Sequence, residues 1–515
     1  MYYGDWMARG ALYWPEVVAV VDVGKGDAGR FTYRALNERA NRLASFFARL
    51  GVRQGDRVGL LAHNGVEVLD ALFACAKLGV IFVPYNWRLH PAELADAMRL
   101  TEPAAVIYSS DFAGPLAEAG RAFALPRTLL HLGASGLDGS RSYATALDEG
   151  SPQPVENPHM REDDVLCLLF TGGTTGKSKA ARITYRMVAW NTFVCLVHEL
   201  RPGDVTITHT PMFHTGGLLV YTLPLLTVGG RVVILDRWDP ALCVRLLAEE
   251  GVTAFFAVPT QYQQMLEAPG FAAADLRRLR YMTSGGAPMP EPVRAAWKAA
   301  HPTLPFKQGF GMTEFGPGVF SMTPEDAPRK AHTVGRVNHF VEAKVAGDEG
   351  RALGAGEVGE LWLRGPSCCD GYWRDPAATA AAIDADGWLH TGDLCARDAE
   401  GFYAIVGRKK DMFISGGETV YPIEIESALH QHPAVAQVSV VGVPDERWGE
   451  VGHAFVVLRP GASATAEALL EHLRARLARY KVPKRVSFLP ALPTSPAGKI
   501  LKTELRTRAL EEARP

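Results

Sequence analysis

The chain has 515 residues, 47% hydrophobic and 21% charged, with a formal net charge of −2. That length exceeds one ordinary core, so at least two domains are expected. The near-neutral charge removes the electrostatic case for nucleic acid or an anionic membrane as the main partner.

The N-terminal stretch MYYGDWMARG carries Asp5 and no apolar core, so no signal peptide is expected. Short β-branched runs then alternate with amphipathic helical patterns. DRVGLLA from Asp56 reads as a strand, VEVLDALFACAKLG as a helix and VIFVPY as the next strand. The rhythm recurs at AAVIYS, at RVVILD with PALCVRLLAEEG, and at TAFFAVP. Such alternation predicts βαβ units in largely parallel sheets. The oily stretch GLLVYTLPLLTVGG from Gly217 is too short to span a bilayer and reads as a buried core helix.

From Val334 the pattern shifts to short, glycine-rich alternating strands, a small β-rich subdomain. The basic segment Gly407–Asp411, GRKKD, interrupts it. Beyond lies a smaller α/β region with VAQVSVVGVP, HAFVVL and a helix predicted over 466–479, where Leu469, Leu473 and Leu477 form one stripe. The seven cysteines are scattered and never in a Cys-x-x-Cys pair, which predicts reduced, buried thiols in a cytoplasmic protein. No His/Cys/Asp cluster has transition-metal spacing.

The stretch TGGTTGKSKA from Thr171 comes directly after the apolar run VLCLLF and ends in the Gly-Lys-Ser of a P-loop, with Thr171 where the first glycine should be. The preceding strand and the helical pattern ITYRMVAWNTFVCLV match a P-loop's surroundings. Gly172, Gly173 and Gly176 free backbone N–H groups to crowd an anion. Thr171, Thr174 and Thr175 add hydroxyls, and Lys177 or Lys179 adds charge. A triphosphate is the expected guest. No compelling acidic residue at a strand end supplies the magnesium ligand that a P-loop hydrolase needs.

Downstream stand SGGAPMP from Ser284, QGFGMTE from Gln308, WLHTGD from Trp388, GRKKDMFISGGETVYPIEIE from Gly407, and PTSPAGK ending at Lys499. In this order and spacing the segments resemble the adenylate-forming superfamily of acyl-CoA synthetases, adenylation domains and luciferases. The likeness is greatest to fatty- or aryl-acid acyl-CoA synthetases. It runs from FTYRALNERANRLA near the start to the last lysine motif. The phosphate loop departs from the family form at Gly172, Ser178 and Ala180, which predicts altered ATP affinity rather than lost activity.

The resemblance implies an α/β fold: a large N-terminal domain of βαβ-rich sheets with a β-rich subdomain (1–407), a hinge (408–411) pivoting at Lys410, and a smaller mobile α+β C-terminal domain (412–515). It implies an ATP-dependent acid:CoA ligase that releases AMP and pyrophosphate, acting on medium- or long-chain fatty acids, with aryl acids such as benzoate or cinnamate as the alternative. ATP, Mg2+ and coenzyme A are the implied cofactors. The acid and coenzyme A are the partners, without nucleic acid or a transmembrane segment, and a homo-oligomer stays open.

Residue by residue, the resemblance puts Lys499 between the substrate carboxylate and the α-phosphate, Thr313 on that phosphate and Glu314 on magnesium. ATP or AMP contacts fall on Thr171, Gly172, Gly173, Thr174, Thr175, Gly176, Lys179, Gly285, Gly286, Ala287, Phe310, Gly311, Met312, Thr313, Asp393 and Arg408. His214 borders the carboxylate and the thiol tunnel, and the acyl pocket takes His214, Thr215, Gly216, Val258 and Gly285. Gly416, Gly417, Trp448, Tyr480 and Lys484 match coenzyme A contacts. Unmatched, several of these would read as plain structure: Met-Thr-Glu as a helix start, Phe310 as core, Asp393 and Arg408 as surface charges. An amino-acid-activating domain fits less well, since PMFHTGG lacks the aspartate that binds an ammonium group and no carrier domain comes after it. Intact Lys499, Glu314 and Asp393 argue against an idle nucleotide-binding relative.

Overall fold

The computed structural model describes residues 5–155, 157, 159–171, 178–198, 200–494 and 500–512. The largest sheet has seven strands. From one edge they run Arg141–Ser142, Thr128–Leu132, Ala105–Ser109, Arg57–Leu61, Ile81–Pro84, Val165–Thr171 and Lys179–Thr184. All are parallel except the last, which returns antiparallel from Val165–Thr171. The central strands, Ala105–Ser109, Arg57–Leu61, Ile81–Pro84 and Val165–Thr171, are largely buried, hence their apolar runs. The crossover helix Val66–Leu78 ends at Gly79, whose φ of 68° lets its N–H turn back to the Cys75 carbonyl.

A second sheet joins Val205–Thr208, Arg231–Ile234 and Val18–Asp22 in parallel, with Arg30–Thr32 antiparallel at the edge. Ala254–Ala257, Tyr281–Ser284 and Phe306–Gln308 form a third, wholly parallel sheet. The expected β-rich subdomain is an antiparallel sheet of Glu342–Ala346, Val358–Arg364, Leu389–Arg397 and Tyr403–Arg408. Beyond it, Phe413–Ser415, Glu418–Val420, Val435–Asp445, Gly449–Leu458 and Arg485–Phe488 build a separate sheet with its own apolar core.

Three local expectations are corrected. No helix comes directly after the phosphate loop; the strand Lys179–Thr184 intervenes, so the loop closes a β-hairpin, and the helix begins at Tyr185. The 217–230 stretch forms parts of two short helices, Thr215–Leu218 and Thr222–Thr227. Pro224 explains the break: its ring would clash with the carbonyl four residues back, but it fits the first turn of a new helix. The helix expected over 466–479 spans Ala466–Arg474, and Leu477 packs against the same core from the turn beyond. All seven cysteines are buried thiols. No described helix is long and apolar enough to cross a membrane.

Candidate active site

The hairpin of Val165–Thr171 and Lys179–Thr184 pairs Thr171 with Lys179, so these residues mark the base of the phosphate loop. Gly172, Gly173, Thr174, Thr175, Gly176 and Lys177 lie outside the described residues, as does Lys499. Thr494 and Ile500, which flank the undescribed residues 495–499, form an antiparallel bridge.

The segment after strand Phe306–Gln308 turns tightly rather than starting a helix. Met312 N–H donates to the Gly316 carbonyl at 3.3 Å and Phe315 N–H to the Met312 carbonyl at 3.2 Å. A Cβ at Gly311 would stand 2.4 Å from Pro317 Cα, so the turn requires glycine there. Phe310 is half-buried, its ring 5.8 Å from that of Phe320. Thr313 is half-buried and Glu314 buried.

Tyr372 was not singled out in the sequence, yet its hydroxyl donates to Glu314 Oε1 at 2.8 Å. Lys179 Nζ stands 4.9 Å from the Tyr372 ring centroid. Burial, and next the Glu314 charge, push the Tyr372 phenol far above its ordinary range. Lys179, Tyr372 and Glu314 thus form one chain from the phosphate hairpin to the QGFGMTE turn.

Strand Tyr281–Ser284 delivers Gly285, Gly286 and Ala287. Gly285 is buried, whereas Gly286 and Ala287 are exposed, and Gly286 has a φ of 80° that favours glycine. Phe256 is the second residue that the sequence reading missed. A Cβ at Gly285 would lie 2.9 Å from Phe256 Cε2, and one at Gly216 3.6 Å from Cε1, so the ring sits between the two glycines. Val258 Cγ1 is 3.6 Å from the Cβ position of Gly286. Half-buried His214 precedes the helix Thr215–Leu218, its ring 4.5 Å from Phe213, and beside it Thr215 Oγ1 is buried without a partner among the described residues. The structure therefore sets Gly216 and Gly285 against the Phe256 ring, with Val258 against Gly286 beside them.

His209, for which the sequence suggested no role, is buried behind this wall. Its Nε2 lies 3.0 Å from the Phe256 carbonyl and its Nδ1 3.1 Å from Gln261 Nε2. A carbonyl only accepts, so Nε2 carries the proton and Nδ1 accepts from the amide. Burial lowers its pKa to about 4.

Asp393 and Arg408 face each other across strands Leu389–Arg397 and Tyr403–Arg408, with Arg408 Nε 2.9 Å from Asp393 Oδ1. Asp393 is buried and Arg408 exposed. Lys410 is exposed in a turn where Asp411 and Met412 N–H groups both reach the Arg408 carbonyl. Farther on, Gly416 and Gly417 have φ of 62° and 87°. A Cβ on Gly416 would lie 2.8 Å from Trp448 Cε3. The Trp448 ring is 38% exposed and flanked by Arg447 at 4.9 Å and Lys484 at 5.7 Å. Tyr480 is also partly exposed on this unit.

Among the described residues no three His, Cys, Asp or Glu side chains group to hold a metal alone. A hard cation shared between one buried carboxylate, Glu314, and phosphate oxygens fits that arrangement, since Mg2+ ordinarily takes one or two carboxylates plus substrate oxygens.

The family model described as AMP-binding enzyme matches residues 7–373, and that of the AMP-binding enzyme C-terminal domain matches 424–499. The chain is 38% identical to a feruloyl-CoA synthase from an Amycolatopsis species, over 98% of both chains. It is 37% identical to a long-chain-fatty-acid–CoA ligase from Mycobacterium tuberculosis, over 93% of both. The crystal structure of an anthranilate CoA ligase with anthranoyl-AMP superimposes with a TM-score of 0.92 at 27% identity, covering 100% of this chain and 98% of that one. With the fold of adenylate-forming enzymes and both family models matched, the chain belongs to the AMP-binding enzyme family, among its ATP-dependent acyl-CoA ligases.

Proposed function

We propose that this protein joins an acid with an apolar side chain to coenzyme A in two steps. The carboxylate attacks the α-phosphorus of ATP, giving an acyl-adenylate and pyrophosphate; the thiol of coenzyme A then displaces AMP and forms the thioester. The observation that carries the substrate reading is the uncharged wall of Gly216, Phe256, Val258, Gly285 and Gly286. Small backbone-lined positions around one ring suit a flat or narrow apolar group. Fatty acids, the first expectation from sequence, fit such a wall. Aryl acids are favoured, because the relatives named above include a feruloyl-CoA synthase and an anthranilate CoA ligase.

In this reading Thr171, Lys179 and the loop between them hold the triphosphate, Thr313 meets the α-phosphate, and Glu314 holds the Mg2+ that offsets phosphate charge. Lys499 bridges carboxylate and phosphate. The adenine lies along Gly285, Gly286, Ala287 and Phe310, and the ribose hydroxyls meet Asp393 and Arg408. The units 1–407 and 412–515 reorient about Lys410 between half-reactions. Its exposed turn supports this, since a hinge residue must absorb a dihedral change without breaking packing. Gly416, Gly417, Trp448, Tyr480 and Lys484 then receive coenzyme A.

The test is ATP–pyrophosphate exchange without coenzyme A against acids from acetate through palmitate to benzoate and ferulate. Exchange with selected acids is expected, ferulate or benzoate above palmitate, and Lys499→Ala should abolish it. Exchange with none of these acids would refute the reading, and ADP release in its place would point to a hydrolase.

A further inference from the structure

The hydrogen bond from Tyr372 to Glu314 belongs to a larger construction. Residues 371–373 lie antiparallel along the free edge of strand Lys179–Thr184. Arg182 N–H donates to the Gly371 carbonyl at 3.0 Å, Trp373 N–H to the Ala180 carbonyl at 2.8 Å, and Tyr372 pairs with Ala181. The phosphate hairpin is therefore bridged along its outer edge by a short segment from far downstream in the chain.

Pairing fixes the side chains. Residues opposite each other on antiparallel strands point to the same face, and so do residues two apart on one strand. Tyr372 thus shares a face with Ala181 and with Lys179, which places the ammonium over its ring. The same segment grips Glu314 twice: Cys369 N–H donates to its backbone carbonyl at 2.8 Å, and the Tyr372 hydroxyl to its carboxylate at 2.8 Å. Behind the ring, Tyr372 N–H donates to Thr379 Oγ1 at 2.9 Å, anchoring the segment to the helix Pro376–Ala382.

We infer that Tyr372 is a positioning residue: its hydroxyl fixes the rotamer of the Glu314 carboxylate, and its strand pairing keeps that carboxylate in register with the phosphate hairpin. The inference rests on the proposed role of Glu314 toward the cation that accompanies ATP. A glutamate side chain has several accessible rotamers, and holding one of them in advance removes an ordering cost from cation binding. Lys179 reinforces the arrangement, because a cation over the ring face favours the ring position that aims the hydroxyl at Glu314.

The test uses the full chain with Mn2+ as probe and the non-reacting α,β-methylene analogue of ATP, bound Mn2+ being read from the loss of its free electron-paramagnetic signal. Tyr372→Phe removes one hydroxyl and keeps ring and backbone. Its Mn2+ dissociation constant in the ternary complex should rise about three- to ten-fold, the scale of ordering one side chain on binding. Glu314→Gln should weaken Mn2+ more, and adding Tyr372→Phe to it should change nothing further, because both act through one carboxylate. A Tyr372→Phe variant that binds Mn2+ like the wild type, whether or not it melts at a lower temperature, would leave Tyr372 a packing residue and overturn the inference. Additive effects in the double variant would overturn it equally. If Glu314→Gln itself leaves Mn2+ affinity unchanged while wild-type exchange is intact, the cation role of Glu314 and this inference fall together and the ligase reading stands.

Discussion

Arg408 meets Asp393 across two antiparallel strands, Nε to Oδ1 at 2.9 Å, with the carboxylate buried and the guanidinium exposed. Asp393 N–H donates to Thr391 Oγ1, whose hydroxyl donates to the Leu361 carbonyl, so the aspartate's backbone is fixed from behind. A carboxylate held this way can accept hydrogen bonds from a diol without reorganising. Asp393→Asn keeps the shape but removes the charge and half of the acceptor capacity. Hydrogen bonds to a charged group contribute ~1.5–3 kcal/mol, so the KM for ATP in pyrophosphate exchange should rise about ten-fold or more. The KM for the acid should hardly move. Equal changes in both would rule out the proposed contact of Asp393 with the ribose.

The motif segments were legible because each depends on short-range backbone needs. Gly311 is forced by Pro317, and Gly286 and Gly416 by positive φ, so the glycines of QGFGMTE, SGGAPMP and SGGE stand in the sequence as direct marks of turns. Tyr372 and Phe256 left no such mark. Tyr372 reaches Glu314 over 58 residues of chain, and that pairing exists only once the edge strand has docked. Phe256 lies in a run, AFFA, where either aromatic could face the core; only the fold turns Phe255 inward and Phe256 between two glycines. The strand Lys179–Thr184 left no separate mark, because Lys179 and Ala180 close the loop stretch TGGTTGKSKA and Ile183 and Thr184 open the helical pattern, leaving too few residues for alternation to show.

Away from the site, Lys77 is fully buried with Asp5 Oδ1 and Oδ2 each at 2.8 Å and Asn37 Oδ1 at 2.8 Å. Burial lowers the Lys77 pKa, and Asp5 opposes that shift. Removing the aspartate strands an ammonium in the core, which ordinarily costs about 3–5 kcal/mol. Asp5→Ala should therefore lower the first unfolding transition in urea or heat. Asp5→Ala with Lys77→Met should recover most of the loss, since no unpaired charge remains. A double variant as unstable as the single one would show that the pair is not the cause.

His209 predicts a pH dependence of stability. Its folded pKa, about 4, lies below the ordinary 6.5 because burial disfavours the imidazolium. Protonating Nδ1 would also set it against the Gln261 amide that now donates to it. Above pH 6.5 the ring is neutral in both states and the contribution is constant. As pH falls the unfolded chain takes up a proton that the folded chain refuses, so stability declines, by about 2 kcal/mol at pH 5 and about 3 kcal/mol near pH 4. His63, His430, His432 and His453, all with lowered pKa values, add in the same direction. Urea titrations at pH 7.5 and 5 should show a loss about 2 kcal/mol smaller in His209→Gln than in the wild type. An equal loss in both would mean that His209 is protonated in the folded protein at pH 5.

Trp448 offers a variant that would tell the two proposed half-reactions apart. Its ring closes over Gly416, whose missing Cβ allows the contact, and the Gly416 N–H donates to the Trp448 carbonyl at 2.8 Å. Arg447 and Lys484 stand on the ring, so the surface combines an aromatic face with positive charge, the combination that binds a nucleotide through base stacking and phosphate attraction. Pyrophosphate exchange needs no coenzyme A. Trp448→Ala should therefore leave exchange within about two-fold of wild type while raising the KM for coenzyme A about ten-fold or more, since a stacked base contributes ~1–3 kcal/mol. Lys484→Ala should act in the same direction but more weakly and with a dependence on ionic strength, because it removes charge and keeps the stacking face. A Trp448→Ala variant that loses exchange and thioester formation in equal measure would place the residue in the fold of the small unit rather than in recognition of coenzyme A.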